Sequence, residues 1–459
     1  MSEFVSKTGE GKRNETHFGA CRECQYRSPR SPDGPWAEPM RLNLDGFLAG
    51  IDPAGWPAKI DAKSAGQTAM RSHHDGRSRD IVRPLLHVHC ELGPVLVNRT
   101  AAYRMCKEIP LALVERGFRV TCSALLARVG VGNAEPLTRL EQRRFARSQR
   151  WLRWASTHPA LFYRTCRLTG LVPRCRYPRG VRLFLDPLYI LFYGAPDTGV
   201  VIVHDTTPVT DPSWHHPGVC QLYEIAYARL ARSRCHLVTP CQNTADQLRL
   251  NWGIAPSRLT VLHEGLFALP KPHTAERRLP DEPYLLFVGT LETRKNVAGL
   301  IRAYADSGLY ATRGVRLRLV GDRGDENGPI VALARATPGV DLPGFVRDAE
   351  LAAAYAHCFA FVYPSFCEGF GLPLLEAMAR GCLCLSTITG ASPEVAGDAA
   401  VYVNPYDVAD ITRGLRRLVE LPAAERKHLQ ARSRQRAATF TWERFHNGLA
   451  AVLEHAAAA

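Results

Sequence analysis

Two glutamates stand eight positions apart in "PSFCEGFGLPLLEAMARG", which runs from Pro364 to Gly381, with Gly369, Gly371 and Pro373 between them. Carboxylates in such surroundings suit several kinds of chemistry. Glu368 and Glu376 could be a hydrolase's acid and base, a metal site, a clamp on sugar hydroxyls, or an ordinary helix start. The apolar run "FVYP" ahead of them reads as a buried strand, and Pro373 suits the first position of a helix. In parallel α/β sheets, ligands sit beyond the C-terminal ends of strands and against helix N-termini. Gly369 and Gly371 let the backbone approach such a ligand closely, with N–H groups aimed at hydroxyls or phosphate. Taken singly, Glu376 reads as a complement to the helix dipole and Glu368 as a solvated side chain.

Two further clusters have the same strand–loop setting. "FVGTLETRKN" (Phe287–Asn296) places Arg294 and Lys295 at a turn. A lone basic pair on a surface usually signifies nothing, but at the first strand end of the same domain it could neutralise a diphosphate. "VVIVHDTTPVTDPSW" ends a strand on His204 and Asp205. A single histidine is more often structural; one at a strand end facing an interdomain cleft is a better candidate.

The elements that must position these clusters follow from pattern. A chain of 459 residues exceeds one ordinary core, so two domains with appendages are expected. Short β-branched runs alternate with helical stretches from "IVRPLLHVHC" (Ile81–Cys90) through "FRVTCSALL", "GVVIVHD", "HLVTP" and "RLTVLHEG". The Pro-rich, charged "LFALPKPHTAERRLPDEP" then reads as a linker. The alternation restarts with "YLLFVGT", "VRLRLVG", "FAFVYP", "CLCLST" and "AAVYVNP", and the chain closes on an amphipathic stretch, "TWERFHNGLAAVLEHA". Two βα series around a linker imply two Rossmann-like domains facing across a cleft. The expected division is a disordered or loosely packed extension over 1–80, a first domain over 81–268, a linker over 269–283, a second domain over 284–436 and a terminal helix over 437–459.

Composition narrows the classes. Hydrophobic residues make up 46% and charged residues 22%, as in a globular protein, and no long uncharged apolar run suits a membrane span. The first residues lack a basic segment followed by an apolar one, so no secretory signal is expected. The fourteen cysteines are scattered singly, which reads as reduced, buried thiols in a cytosolic protein; Cys21 and Cys24, without a second pair, read as chance. The formal charge is +14, and Arg139 to Arg182 holds twelve arginines, no lysine and one acid, Glu141. Such a patch suits phosphate-rich partners. Its tryptophans, Trp151 and Trp154, suggest a segment lying among the headgroups of an anionic membrane rather than on nucleic acid, with a solvated basic face as the plain alternative.

The clusters together resemble the retaining, nucleotide-sugar-dependent glycosyltransferases of family 4 (glycosyl transferases group 1), which have the GT-B fold. The resemblance extends over roughly Leu85 to His455. It rests on the strand-end "HD", "VLHEG", "FVGTLETRKN", "LVGDRG", "PGFVRDAEL", "EGFGLPLLE", "ASPEVAGDAAVYVNP" and "TWERF", in that order.

The resemblance implies an α/β, GT-B architecture in which the last helix crosses back to the first domain. It implies catalytic roles for His204, Lys295 and Glu368. Lys295, with Arg294 beside it, would hold the donor diphosphate near Gly289 and Thr290. Glu376 would bind the ribose, and Glu368 with the backbone of Gly369, Phe370, Gly371 and Leu372 the transferred sugar. Phe345 and Val346 would face the base. The first-domain loop with Arg99 and Thr100, together with Asp205, would border phosphate and acceptor. Many relatives carry Arg where Thr290 stands, which leaves more of the diphosphate's charge to Lys295.

The expected reaction is retaining transfer of a hexose, with GDP-mannose as the leading donor, to a glycan or lipid-linked acceptor in polysaccharide biosynthesis. "GTLETRKN" resembles the mannosyl- and rhamnosyltransferases of surface-polysaccharide assembly. No Asp-x-Asp occurs, which fits a site without metal or other cofactor. The expected partners are the nucleotide-sugar, the acceptor and an anionic membrane surface, with no nucleic acid, and the expected place is the inner face of the plasma membrane. The rivals are a UDP-glucose-type glucosyltransferase acting on a soluble acceptor and a catalytically lapsed GT-B binding module.

Overall fold

The structure, a computed structural model, describes residues 86–96, 101–125, 127–129, 139–158, 161, 180–267, 282–322 and 328–458. The extension over 1–80, the Cys21–Cys24 pair, Arg99, Thr100 and most of the linker lie outside these residues.

The first domain carries a seven-stranded sheet. Its strands are β1 (His87–Glu91), β2 (Arg119–Ala124), β3 (Ala127–Val129), β4 (Val181–Phe184), β5 (Gly199–Ile202), β6 (His236–Thr239) and β7 (Leu259–Val261). The order is β3-β2-β1-β4-β5-β6-β7, all parallel except β3, which returns antiparallel to β2. Central strands such as β5 (GVVI) are buried along their whole length, as a sheet covered on both faces requires.

The second domain carries six parallel strands: β8 (Tyr284–Val288), β9 (Arg316–Val320), β10 (Val340–Gly344), β11 (Ala360–Val362), β12 (Cys384–Thr387) and β13 (Ala400–Val403). Their order is β10-β9-β8-β11-β12-β13, a doubly wound sheet whose order reverses between β8 and β11. The terminal helix, Trp442–Ala458, buries Phe445, Leu449, Val452 and Leu453 in the first domain's core. The chain thus crosses back, and the architecture is GT-B.

Several bonds span the domains. The Glu394 carboxylate accepts from the Gln242 N–H at 2.8 and 3.0 Å, at the start of helix Gln242–Trp252, and pairs with His263 Nε2 at 2.6 Å. A carboxylate at a helix N-terminus is favoured by both the dipole and the unpaired N–H groups. Arg104 of the first domain reaches Asp348 of the second at 3.3 Å.

The arginine-rich stretch divides in the fold. Residues Arg139–Thr157 form one helix with Arg143, Arg144, Arg147 and Arg150 exposed, whereas Arg182 lies within β4. Trp151 and Trp154 pack against the first domain's core, and the Trp151 ring lies 5.1 Å from Phe192. That corrects the expectation of outward indoles: the amphipathic helix turns its tryptophans inward and leaves guanidinium groups outside. Strands β3 and β4 were not legible in the sequence, since both are short and border the basic stretch.

Candidate active site

Strands β8 and β11 pair at the point where the second sheet's order reverses, so the loops that follow them open beside one another. Such a switch point leaves a crevice at the strand ends. After β8 the chain makes a 3-10 turn over Thr293–Lys295 and enters helix Val297–Ser307 through Asn296, whose φ of 53° is left-handed. The Asn296 amide donates to the Pro405 carbonyl at 2.7 Å, and the Phe366 N–H donates to the Arg294 carbonyl at 2.9 Å. The second bond ties the Lys295 turn to the loop that carries Glu368.

The side chains on these loops neutralise one another. Lys295 Nζ donates to both Glu368 oxygens at 2.7 Å and to the Tyr363 hydroxyl at 2.8 Å. Arg294 donates to Glu368 Oε2 at 3.1 Å, to the Cys367 carbonyl at 3.0 Å and to Glu292 at 2.9 Å. Glu368 is only 4% exposed. Burial alone would push its carboxyl up, but the Lys295 ammonium and Arg294 guanidinium outweigh it and hold the group at about 2. Lys295 is lowered from its ordinary value, by burial first and by the adjacent Arg294 charge second.

Beyond Glu368 the chain turns through two glycines. A Cβ on Gly369 would lie 2.2 Å from the His204 carbonyl, so this loop touches the first domain's strand end directly. Gly371, at φ 93°, caps helix Leu372–Ala379 in a conformation that side chains disfavour. Pro373 occupies the helix's second position, and Glu376 follows within it. The Tyr355 hydroxyl donates to Glu376 at 3.0 Å, and burial raises the carboxyl above its usual value.

Across the cleft, His204 follows β5. Its Nε2 bonds the Leu185 carbonyl at 3.0 Å, and its Nδ1 lies 3.4 Å from Glu264. Burial would lower its pKa, but Glu264 and, less strongly, Asp186 raise it to about 9. His204 is therefore an imidazolium at neutral pH, its Nε2 donating to the Leu185 carbonyl and its Nδ1 side ion-paired with Glu264. Asp205 accepts from the Thr207 N–H at 3.0 Å and hydroxyl at 2.7 Å, an arrangement that fixes the turn after the strand.

These groups line one cleft of about 560 Å³ between the domains. Its walls include Gly289, Thr290, Arg294, Lys295, Glu368, Gly369, Phe370, Gly371, Leu372 and Glu376 from the second domain, with His204 and Asp205 from the first. Phe345 is 79% exposed, and neither it nor Val346 is part of that wall. The Phe370 ring is buried, stacks on His263 and meets Phe440 edge-on, so its backbone is what the loop offers to the cleft. Sequence reasoning did not single out Arg104, Asp186, Glu264, Glu292, Tyr355 or Tyr363. Glu264 and Glu292 fall inside quoted motifs, but nothing local distinguishes them; their roles come from long-range contacts.

The description "Glycosyl transferases group 1" matches residues 272–436. The chain is 36% identical over 175 residues to O-antigen chain mannosyltransferase B of Escherichia coli, covering 38% of this chain and 46% of that protein. It is 30% identical over 257 residues to the MMP alpha-(1->4)-mannosyltransferase of Mycolicibacterium hassiacum, covering 53% and 60%. The chain therefore spans about half the length of these curated relatives. Among solved structures, sucrose-phosphate synthase from Thermosynechococcus elongatus superimposes with a TM-score of 0.58 at 18% identity, covering 81% of this chain and 98% of that one. Anabaena HepE, solved with UDP and glucose, gives 0.56 at 14% identity, covering 81% and 100%. Fold and sequence agree: residues 272–436 are a glycosyl transferases group 1 domain, and the chain around it folds as a GT-B protein.

Proposed function

We propose that the protein is a retaining hexosyltransferase of family 4 that moves mannose from GDP-mannose to a glycan or lipid-linked acceptor in polysaccharide assembly. The observation that carries the reading is the Lys295–Glu368–Arg294 cluster at the sheet's switch point, facing His204 across the cleft. Similarity to two mannosyltransferases favours mannose as the sugar.

Breaking the anomeric C–O bond builds positive charge on the sugar and extra negative charge on the diphosphate. Preorganised cations beside the phosphates stabilise that separation, and losing one such donor costs about 10²–10³ in rate. Lys295 and Arg294 supply that charge without a metal in this reading. Glu376 holds the ribose, and Glu368 and the backbone from Gly369 to Leu372 hold the transferred sugar. Both Glu368 oxygens already accept from Lys295, which makes the carboxylate a poor nucleophile. That supports attack by the acceptor hydroxyl on the face from which the phosphate leaves, with the departing phosphate oxygen taking the proton. A glycosidase-like pair would need its carboxyl groups to face each other across the bond.

The same reading places the enzyme at an anionic membrane surface through the exposed arginines of helix Arg139–Thr157. No helix among the described residues is long and apolar enough to cross a membrane. Thermal-shift and turnover measurements with GDP-mannose, UDP-hexoses and dTDP-rhamnose test the donor. GDP-mannose should raise the melting temperature and be consumed with acceptor. A response to UDP-glucose alone would transfer the assignment to glucosyl chemistry, and no response to any would overturn transfer itself.

A further inference from the structure

The cations of the cleft differ in how firmly they are held. Lys295 has three donors and three acceptors at 2.7–2.8 Å, in a buried setting. Arg294 is divided among Glu368, Glu292 and the Cys367 carbonyl. His204 is fixed between a carbonyl and Glu264. Arg104 is held otherwise. It projects into the cleft from the first turns of helix Ala101–Glu115, with its guanidinium 5.3 Å from the Phe267 ring centroid. Its hydrogen bonds among the described residues run from one nitrogen, Nη2, to the two Asp348 oxygens at 3.3 and 3.5 Å. The Asp348 side chain is 56% exposed, and an exposed pair of this kind contributes little to stability. Little opposes its exchange for a stronger anion.

The position fits such an exchange. Arg104 shares the cleft wall with Thr290, Lys295, Leu372 and Glu376, and its charge is felt at the Glu376 carboxyl. It therefore lies on the side where a ribose held by Glu376 would continue into phosphate. The second domain offers no further cation at the end of β8, where Thr290 stands.

We propose that Arg104 is the first domain's ligand to the donor diphosphate, releasing Asp348 to make a charge-assisted bond to a phosphate oxygen. This rests on the donor reading given above. A planar guanidinium suits two phosphate oxygens at once, which a lysine ammonium does not reproduce. Because Arg104 sits on the opposite domain from Lys295, the exchange replaces a direct link between the domains, Arg104 to Asp348, with one that runs through the donor.

Isothermal titration with GDP and UDP, and with guanosine and uridine, tests the assignment in the full chain. Arg104→Ala should weaken the preferred nucleoside diphosphate at least tenfold and leave its nucleoside within about twofold; Arg104→Lys should recover part of the loss. Asp348→Asn should bind the diphosphate as well as wild type or better, because it removes only the competing anion. An Arg104→Ala protein with unchanged diphosphate affinity overturns the proposal, and so does an Asp348→Asn protein that loses as much as Arg104→Ala, which would make the pair a mere strut. Wild-type protein that binds neither diphosphate removes the donor reading and this inference together, whereas binding that Arg104→Ala leaves intact removes this inference alone.

Discussion

The two walls of the cleft are built on similar sheets but hold their polar groups differently. On the second-domain wall, Lys295, Arg294 and Glu368 bond to one another from two loops that meet at the switch between β8 and β11. On the first-domain wall, His204, Asp205 and Asp186 are tied mainly to their own surroundings: a carbonyl, Glu264, a turn N–H and the Tyr223 hydroxyl. The first arrangement is a preorganised electrostatic site. The second is a scaffold whose exposed chemistry depends on which side chains the chain happens to bring in. In the proposed reading the second-domain wall recognises a nucleotide and diphosphate, which a short motif can do, and the first-domain wall faces a variable acceptor, which one motif cannot serve.

The largest effect expected from breaking this contrast lies on the second-domain wall. Lys295→Ala should lower kcat by about 10²–10³, since in the proposed reaction it removes a cation at the developing charge. The fold should persist with a reduced melting temperature, because Arg294 still pairs with Glu368. Glu376→Ala should also abolish measurable turnover. Full activity in both, by steady-state assay, would dissolve the distinction between the walls.

The contact between the walls comes next. Gly369→Ala places a methyl group 2.2 Å from the His204 carbonyl, a distance that only separation of the loops can relieve. We expect a fall of about 10²-fold in kcat/KM, since misplacement by an ångström costs that much. Circular dichroism should be unchanged. Wild-type kinetics in this variant would show that the observed closeness of the domains is not needed for turnover.

On the first-domain wall the expected effect is a shifted pH profile. His204, raised to about 9 by Glu264 despite its burial, keeps its proton across the neutral range. In Glu264→Gln the alkaline limb of the rate profile should move down towards the ordinary histidine range, which NMR titration of His204 would report directly. The signs for stability are opposite on the two walls. The His204 contribution is full below its ordinary value of 6.5 and is lost as pH rises through about 9. The Glu368 contribution is full above its ordinary 4.5 and is lost as pH falls towards about 2. An unshifted alkaline limb in Glu264→Gln would remove His204 from the chemistry.

The smallest effect belongs to the outside of the first domain. Replacing Arg143, Arg144, Arg147 and Arg150 by Glu should abolish salt-sensitive binding to anionic liposomes while leaving turnover on a soluble acceptor unchanged. Retained binding would show that the exposed face of helix Arg139–Thr157 is only a solvated one.

Much of the second domain was legible because its determinants are local. A buried five-residue apolar run such as Tyr284–Val288 reads as an interior strand, and Gly289 after it as the start of a loop. Glu368 and Glu376 could therefore be placed on one loop and helix and Lys295 at a strand end of the same domain, and the family resemblance assigned the three to one donor. Their direct neutralisation could not be foreseen, because the Lys295–Glu368 bond spans 73 positions and depends on β8 and β11 becoming neighbours. Arg104 was hidden for the same reason, its partner Asp348 being 244 positions away. Trp151 and Trp154 show the converse: their sequence suggested lipid, and packing against Phe192 and the first core decided otherwise.

The sequence by itself determined the two α/β halves and the loops that carry charge, since burial periodicity and turn chemistry act within a few residues. Which charges meet, which cation is held loosely enough to exchange partners, and which face of the basic helix remains outside were decided only when the two sheets formed and closed on each other. Coulomb interactions between buried groups depend on distance in space, and distance in the chain does not fix it.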